Sequence, residues 1–382
     1  MYDVIVIGGG LVGASTAYHL VRAGARVLLL DRGDAGRATD AGAGILAPAA
    51  NTRDPEAWYR FAASAVAYYP QLVELLAEDG VTETGYSRVP LLVVAANDDE
   101  LPAWERVREV LAERLREAGA PAAEVQELRA EQARQFFPPL AEVKAALLYT
   151  GAARVDGRRF SQALLQAARR RGLIYQQSGA NRLEMAGGRV LGVYIDDRLV
   201  PAGSVVIAGG AWSAAFGRQL GVDLPVVPQR GQIAHLVPVP GDPGRWPMVR
   251  VVSDFYLVPW PDGRVAAGAT REAGVGFDPR VTAGGVRHLL TRALDLAPGL
   301  AGATLHEVRV GLRPLSADGL PVLGAVPGVA GVYLATGHGP TGLQLGPYSG
   351  KRIADLVGGR DSAADLAAFS VTRFATPGDG ER

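Results

Sequence analysis

The chain has 382 residues, 48% hydrophobic and 20% charged, with 39 basic and 39 acidic side chains and no cysteine. Balanced charge leaves no positive excess for nucleic acid or an anionic membrane, so the implied partner is a small molecule. Lack of cysteine excludes disulfides, thiolate metal sites and any group tethered through a cysteine sulfur, and no metal-ligand pattern stands out.

The length suits two domains. Residues 2–7 form an alternating, β-branched run with no basic leader or twin arginine before it. No apolar stretch reaches about 18 residues, so a cytoplasmic location is expected, with peripheral membrane contact and a homo-oligomer left open. A glycine turn then leads into an apolar helix from about Leu11 to Ala23, closed by Gly24. The continuous apolar run from Arg26 to Asp31 predicts a strand buried on both faces of a parallel sheet, which completes a βαβ unit.

Residues 101–118 have a helical period with a dense charged face, which places that helix at the periphery. A further amphipathic helix from Arg158 to Arg171, a strand at 173–175 and strand-like segments at 190–195 and 205–208 form a second α/β block. Residues 226–315 alternate differently, and Pro-Asp-Gly and glycine turns predict an antiparallel sheet there. The first style returns with a strand at 332–335, a glycine loop at 337–342 and a helix through Leu356, before a frayed tail beyond Phe374. The fold class is therefore α/β, with nucleotide-type pieces interleaved with a mixed, largely antiparallel sheet.

Gly8-Gly9-Gly10-Leu11-Val12-Gly13 matches G-x-G-x-x-G between a strand and a helix. Gly8 permits the tight turn, Gly10 lets a pyrophosphate approach the backbone, and Gly13 lets the helix pack close to the strand. The helix that begins at Leu11 and Val12 turns its N-terminus toward the phosphates. Asp31, followed by Arg32, ends the next strand and is placed to accept hydrogen bonds from the adenosine ribose, which disfavours NADP. The motif by itself does not separate FAD from NAD.

Further segments carry a resemblance: Gly36 to Gly44, Val205 to Ser213, Arg230-Gly231-Gln232, Gly311-Leu312-Arg313-Pro314 and Gly337-His338-Gly339. In order and spacing the chain resembles the glycine oxidase, sarcosine oxidase and D-amino acid oxidase/dehydrogenase group of flavoproteins. The resemblance implies non-covalent FAD in a Rossmann-type domain interleaved with a substrate domain. Residues 1–80, 145–222 and 316–372 would form the first, residues 81–144 and 223–315 the second, and 373–382 a flexible tail.

Within that resemblance, Arg37, Ala38 and Thr39 face the pyrophosphate, with Asp40 pointing away or paired with Arg37. Gly42, Ala43 and Gly44 let the backbone run beneath the flavin. Ala180 lies near the adenine, and the turn Ala208, Gly209, Trp212 closes over it. Gly337, His338, Gly339, Pro340, Thr341 and Gly342 present amides to the flavin's carbonyl end, with His338 structural. Glycine oxidases tend to have an arginine after the Gly-His pair. Pro340 and Thr341 stand there instead, which brings D-amino acids such as D-proline or D-alanine forward beside glycine.

Oxidising an amino acid by hydride transfer to flavin N5 requires a carboxylate clamp rather than a side-chain base, and the imine formed hydrolyses to the oxo acid. A bidentate guanidinium suits that clamp. The resemblance assigns it to Arg313, with Tyr256 as second donor. Asp254 either attracts the substrate ammonium or pairs with Arg250 or Arg271. A small amino acid is the expected substrate, and O2 or a quinone or dye the acceptor. An electron-transfer subunit of a dehydrogenase complex and an NAD-dependent dehydrogenase are the rival readings.

Overall fold

The computed structural model describes residues 1–52, 55–238, 242–360 and 363–375. The tail expected beyond Phe374 lies almost wholly outside the described residues.

Two eight-stranded sheets organise the chain. In the first, Ile174–Gln176, Val27–Leu30, Tyr2–Ile7, Arg198–Ile207 and Val332–Thr336 run parallel, with Ile5 between Leu28 and Val205. Alternate residues of these apolar strands feed different cores. Val4, Val6 and Leu29 pack beneath the helices Leu11–Arg22, Gly157–Arg170 and Gly342–Val357, whereas Ile5, Ile7, Leu28 and Leu30 pack on the opposite side. Burial on both faces explains the unbroken hydrophobic runs. The two α/β blocks expected from the sequence are thus one sheet.

The second sheet is ordered Thr304–Ser316, Val226–Val237, Val265–Gly268, Phe255–Pro259, Met248–Val251, Leu91–Ala95, Ala145–Tyr149, Val125–Leu128. Only the pairing of Met248–Val251 with Leu91–Ala95 is parallel. Strand Ala145–Tyr149 belongs here, although the sequence division places residue 145 on the other side of a boundary.

Helix Leu101–Glu117 has the apolar stripe and solvated face expected of it. Its Trp104, Val107, Leu111 and Leu115 are buried against one face of the second sheet, while Leu289, Ala293 and Leu296 of helix Ala283–Leu296 cover the other. The sequence reading does not anticipate the 23-residue helix Glu56–Glu78, which buries Trp58, Phe61 and Tyr69 despite an internal Pro70. Among the described residues, no helix is long and apolar enough to cross a membrane.

Candidate active site

The first strand ends at Ile7 and the chain turns at Gly8, whose φ is 104°. A Cβ on Gly8 would lie 2.4 Å from the Ala208 carbonyl oxygen, so the turn is pressed against the neighbouring strand end. At Gly13 a Cβ would lie 1.8 Å from the Gly8 carbonyl oxygen. Gly10 differs, because an added Cβ meets only the Thr39 hydroxyl at 3.2 Å. Its open side faces a large cavity.

Asp31 braces this turn. Its Oδ2 accepts the Gly9 amide at 2.5 Å and its Oδ1 the Gly33 amide at 2.7 Å. Arg37 donates to the Gly9 carbonyl at 2.7 Å and lies 3.6 Å from Asp31 and 3.9 Å from Asp40. Thr39 Oγ1 accepts the Leu11 amide at 3.0 Å. Thr39 and Arg37, expected to face phosphate, therefore also hold the glycine turn in shape. Arg32 pairs with Asp34 at 2.7 Å. The Val12 and Gly13 amides, next in the helix, take no partner among the described residues. Two open amides at the positive end of a helix suit an anionic group.

The cavity measures about 1410 Å³, above the ~300–1,000 Å³ of an ordinary small-molecule pocket. It therefore has room for a dinucleotide beside a small substrate. Every candidate site residue from the sequence lines it except Gly13 and Gly337. Gly13 serves helix-to-turn packing. Gly337, with φ of 74°, sits against Val322 behind the loop. Gly42 and Gly44 line the cavity, but their size answers to protein neighbours: a Cβ would fall 2.4 Å from Leu343 or 1.8 Å from the Val155 carbonyl oxygen.

The two sheets meet along this cavity. Leu312 donates its amide to the Gly36 carbonyl at 2.8 Å, and Trp212 stacks on Phe277 with centroids 5.2 Å apart. His338 is buried, with Nε2 3.0 Å from Ser349 Oγ. Because Ser349 donates its proton to the Leu345 carbonyl, His338 is the donor to Ser349. That role fits a neutral ring, and burial lowers the His338 pKa to about 4.

At the other end, strand register builds the wall. Arg250, Tyr256, Gly268 and Ile233 lie directly opposite one another across four strands, so their side chains share one face. A Cβ on Gly268 would approach the Tyr256 hydroxyl to 2.7 Å; glycine leaves space for the ring. Burial pushes the Tyr256 phenol up to about 12, so it is a hydrogen-bond donor at neutral pH.

Arg313 comes from the long strand Thr304–Ser316. Its Nη1 donates to the Thr270 carbonyl at 2.9 Å and to Gln229 at 3.3 Å. The guanidinium lies over Gly231, where a Cβ would be 2.4 Å from Cζ. No carboxylate pairs with Arg313 among the described residues, and burial lowers its pKa.

Asp254 departs from the sequence reading in its backbone, while its ion pair is one of the alternatives that reading left open. The strand begins at Phe255 and Asp254 occupies the preceding turn with φ of 73°, so the extended-strand argument for its direction fails. Its carboxylate accepts from Arg271 at 2.6 and 2.8 Å, which favours the ion pair over a role toward the substrate ammonium. Arg250, Arg271 and Arg106 also line the cavity and were not picked out as site residues. Arg250 had no local signal, because its place opposite Tyr256 follows from strand register. Arg106 had none, since its helix reads as solvated.

A glycine-turn βαβ unit sharing a cavity with a largely antiparallel sheet defines a Rossmann-type FAD-binding domain joined to a substrate domain. The DAO family profile, described as FAD dependent oxidoreductase, matches residues 3–356. The chain belongs to this family, and its cofactor is FAD. It is 40% identical over 370 residues to the uncharacterized oxidoreductase YurR of Bacillus subtilis (strain 168), covering 97% of this chain and 98% of that one. It is 33% identical over 386 residues to the glycine oxidase of Geobacillus kaustophilus (strain HTA426), covering 97% of each. The crystal structure of iminodiacetate oxidase (IdaA) from Chelativorans sp. BNC1 superposes with a TM-score of 0.90 at 39% identity, over 96% of this chain and 98% of that one.

Proposed function

We propose that this chain oxidises the C–N bond of a small amino acid or N-substituted amino acid, with the α-carboxylate clamped by Arg313 and Tyr256. The observation that carries the reading is a half-buried guanidinium with no carboxylate partner among the described residues, on the cavity wall with a neutral tyrosine. FAD, when bound, supplies the two-electron oxidation. The protein's own work is orientation: the planar clamp fixes the carboxylate, and thereby the carbon next to nitrogen, in one pose. No side-chain base is assigned, because the neutral amine provides the electron push. Relatives named for glycine and for iminodiacetate, a primary and a secondary amine, support this class.

The Gly8 to Val12 turn, Thr39 and the open helix amides would hold the diphosphate, the Asp31 end of the second strand the ribose, and the His338 to Gly342 loop the flavin. The sheets support an interleaved division, with residues 81–144 and 223–315 in the substrate domain and strand Ala145–Tyr149 added to it. O2 or a quinone would reoxidise the flavin. The deciding experiment is anaerobic titration of the purified yellow protein with D-, L- and N-methyl amino acids. Bleaching of flavin absorbance by a small amino acid is expected; no bleaching by any member of the panel would refute the reading.

A further inference from the structure

The substrate end of the cavity carries more positive charge than one α-carboxylate needs. Arg313, Arg271 and Arg250 all line it, against Asp254. Arg313 is anchored on the Thr270 carbonyl, and Arg271, the next residue along the chain, lines the same cavity.

Arg271 is held in an uncommon way. Asp254 adopts a left-handed φ of 73°, outside the usual range for a residue with a Cβ, and meets Arg271 with a single oxygen. Both the Nε and Nη2 bonds, at 2.8 and 2.6 Å, end on Asp254 Oδ2. A guanidinium has five N–H donors, and among the described residues these two bonds leave the remaining edge of Arg271 open to a further acceptor.

We propose that Arg271, oriented by Asp254, binds a second carboxylate, so that the preferred substrates are small amines bearing two carboxylates. The proposal rests on the amine-oxidation reading and extends it. Arg313 and Tyr256 take one carboxylate and Arg271 the other, with the reacting carbon and nitrogen held between two fixed ends. An ordinary mouth-of-cleft ion pair accounts for the Asp254–Arg271 bond, but not for its position on the same cavity wall as Arg313, whose partners among the described residues are neutral. The second carboxylate sits either on a substituent of nitrogen, as in iminodiacetate, or on the side chain, as in D-aspartate.

Isothermal titration of the FAD-loaded protein separates binding from turnover. Oxydiacetate has two carboxylates and no amine to oxidise; methoxyacetate is its one-carboxylate counterpart. Oxydiacetate should bind at least about 10-fold more tightly, the scale of a charge-assisted hydrogen bond. Arg271→Gln should erase that preference, and Arg271→Lys should restore part of it. In turnover, Arg271→Gln should lower kcat/KM for a dicarboxylate amine by at least about 10-fold more than for sarcosine or D-alanine. Comparing iminodiacetate with D-aspartate locates the second carboxylate.

Equal binding of the two ethers by the unaltered protein, or a preference that survives Arg271→Gln, overturns the proposal. If oxydiacetate is preferred but no amine bleaches the flavin, the two-carboxylate site stands and the amine-oxidation reading falls.

Discussion

Arg313 and Thr270 are joined by a 2.9 Å hydrogen bond from the guanidinium Nη1 to the carbonyl oxygen, and that bond ties the cavity wall to a polar network behind it. The Thr270 hydroxyl donates to Glu272, which also accepts from Gln232 and Arg230. Gln232 is fully buried and exchanges further hydrogen bonds with Thr282, the N-cap of helix Ala283–Leu296. The position of the Arg313 guanidinium is therefore set from the far side of its own sheet.

Replacing Arg313 removes the proposed carboxylate clamp without touching the glycine turn. Arg313→Ala should lower kcat/KM by about 10- to 100-fold, the scale of one charge-assisted hydrogen bond, with FAD content unchanged. Steady-state kinetics together with the flavin-to-protein absorbance ratio check this; unaltered kinetics would remove Arg313 from the site.

The glycine turn allows ligand space and packing space to be told apart. Gly10 faces the cavity with only Thr39 near its missing Cβ, whereas at Gly13 a Cβ would collide with the Gly8 carbonyl. Gly10→Val should yield folded protein that elutes colourless, and Gly13→Val should yield little folded protein. Circular dichroism and flavin content of the two variants are the readouts, and a fully flavinated Gly10→Val would contradict the assignment.

Gln232→Leu tests the network. It takes the partner of the half-buried Thr282 amide and one of the donors of Glu272, which keeps Thr270 and Arg230, at a cost of about 1–3 kcal/mol for the unsatisfied amide. The expected result is a lower Tm and a raised KM for substrate, since Glu272, which accepts the Thr270 hydroxyl, loses its tie to Gln232 while the backbone bonds between residues 232 and 270 remain. A lower Tm with unchanged KM would confine Gln232 to stability.

Acid should weaken the fold through buried histidines. Burial holds His338 at about 4 and His19 and His235 at about 3, below the value of about 6.5 for a free side chain. The unfolded chain then binds more protons than the folded one, so these groups' contribution is complete above about pH 6.5. It declines as pH falls toward 4, by about 1.4 kcal/mol per pH unit for each histidine. Tm measured from pH 7.5 to 4.5 should be flat at first and then fall. No fall above pH 5 would show that the histidines are not neutral in the folded chain.

Much of the nucleotide half was legible in the residues. Gly8, Gly10, Gly13 and Asp31 follow one another within a strand, a turn, a helix and a strand, where short-range sterics decide the outcome and the glycine spacing reports it directly. Apolar runs such as Val27–Leu30 likewise announced burial on both faces. Arg313 and Tyr256 were reachable only through resemblance, because nothing local distinguishes a clamp arginine from one in a surface ion pair.

The sequence by itself determined the glycine-turn βαβ unit, the interleaving of two sheet types and the need for a cofactor without a cysteine tether. Tertiary structure alone decided that Arg250 stands opposite Tyr256, that Asp254 leaves its strand to hold Arg271, and that a charged helix near residue 106 walls the cavity. The reason is physical. A turn or a helix is set by neighbours a few residues apart, whereas the charge lining a pocket depends on the register of strands far apart in the chain and on which face of each element the packing turns inward.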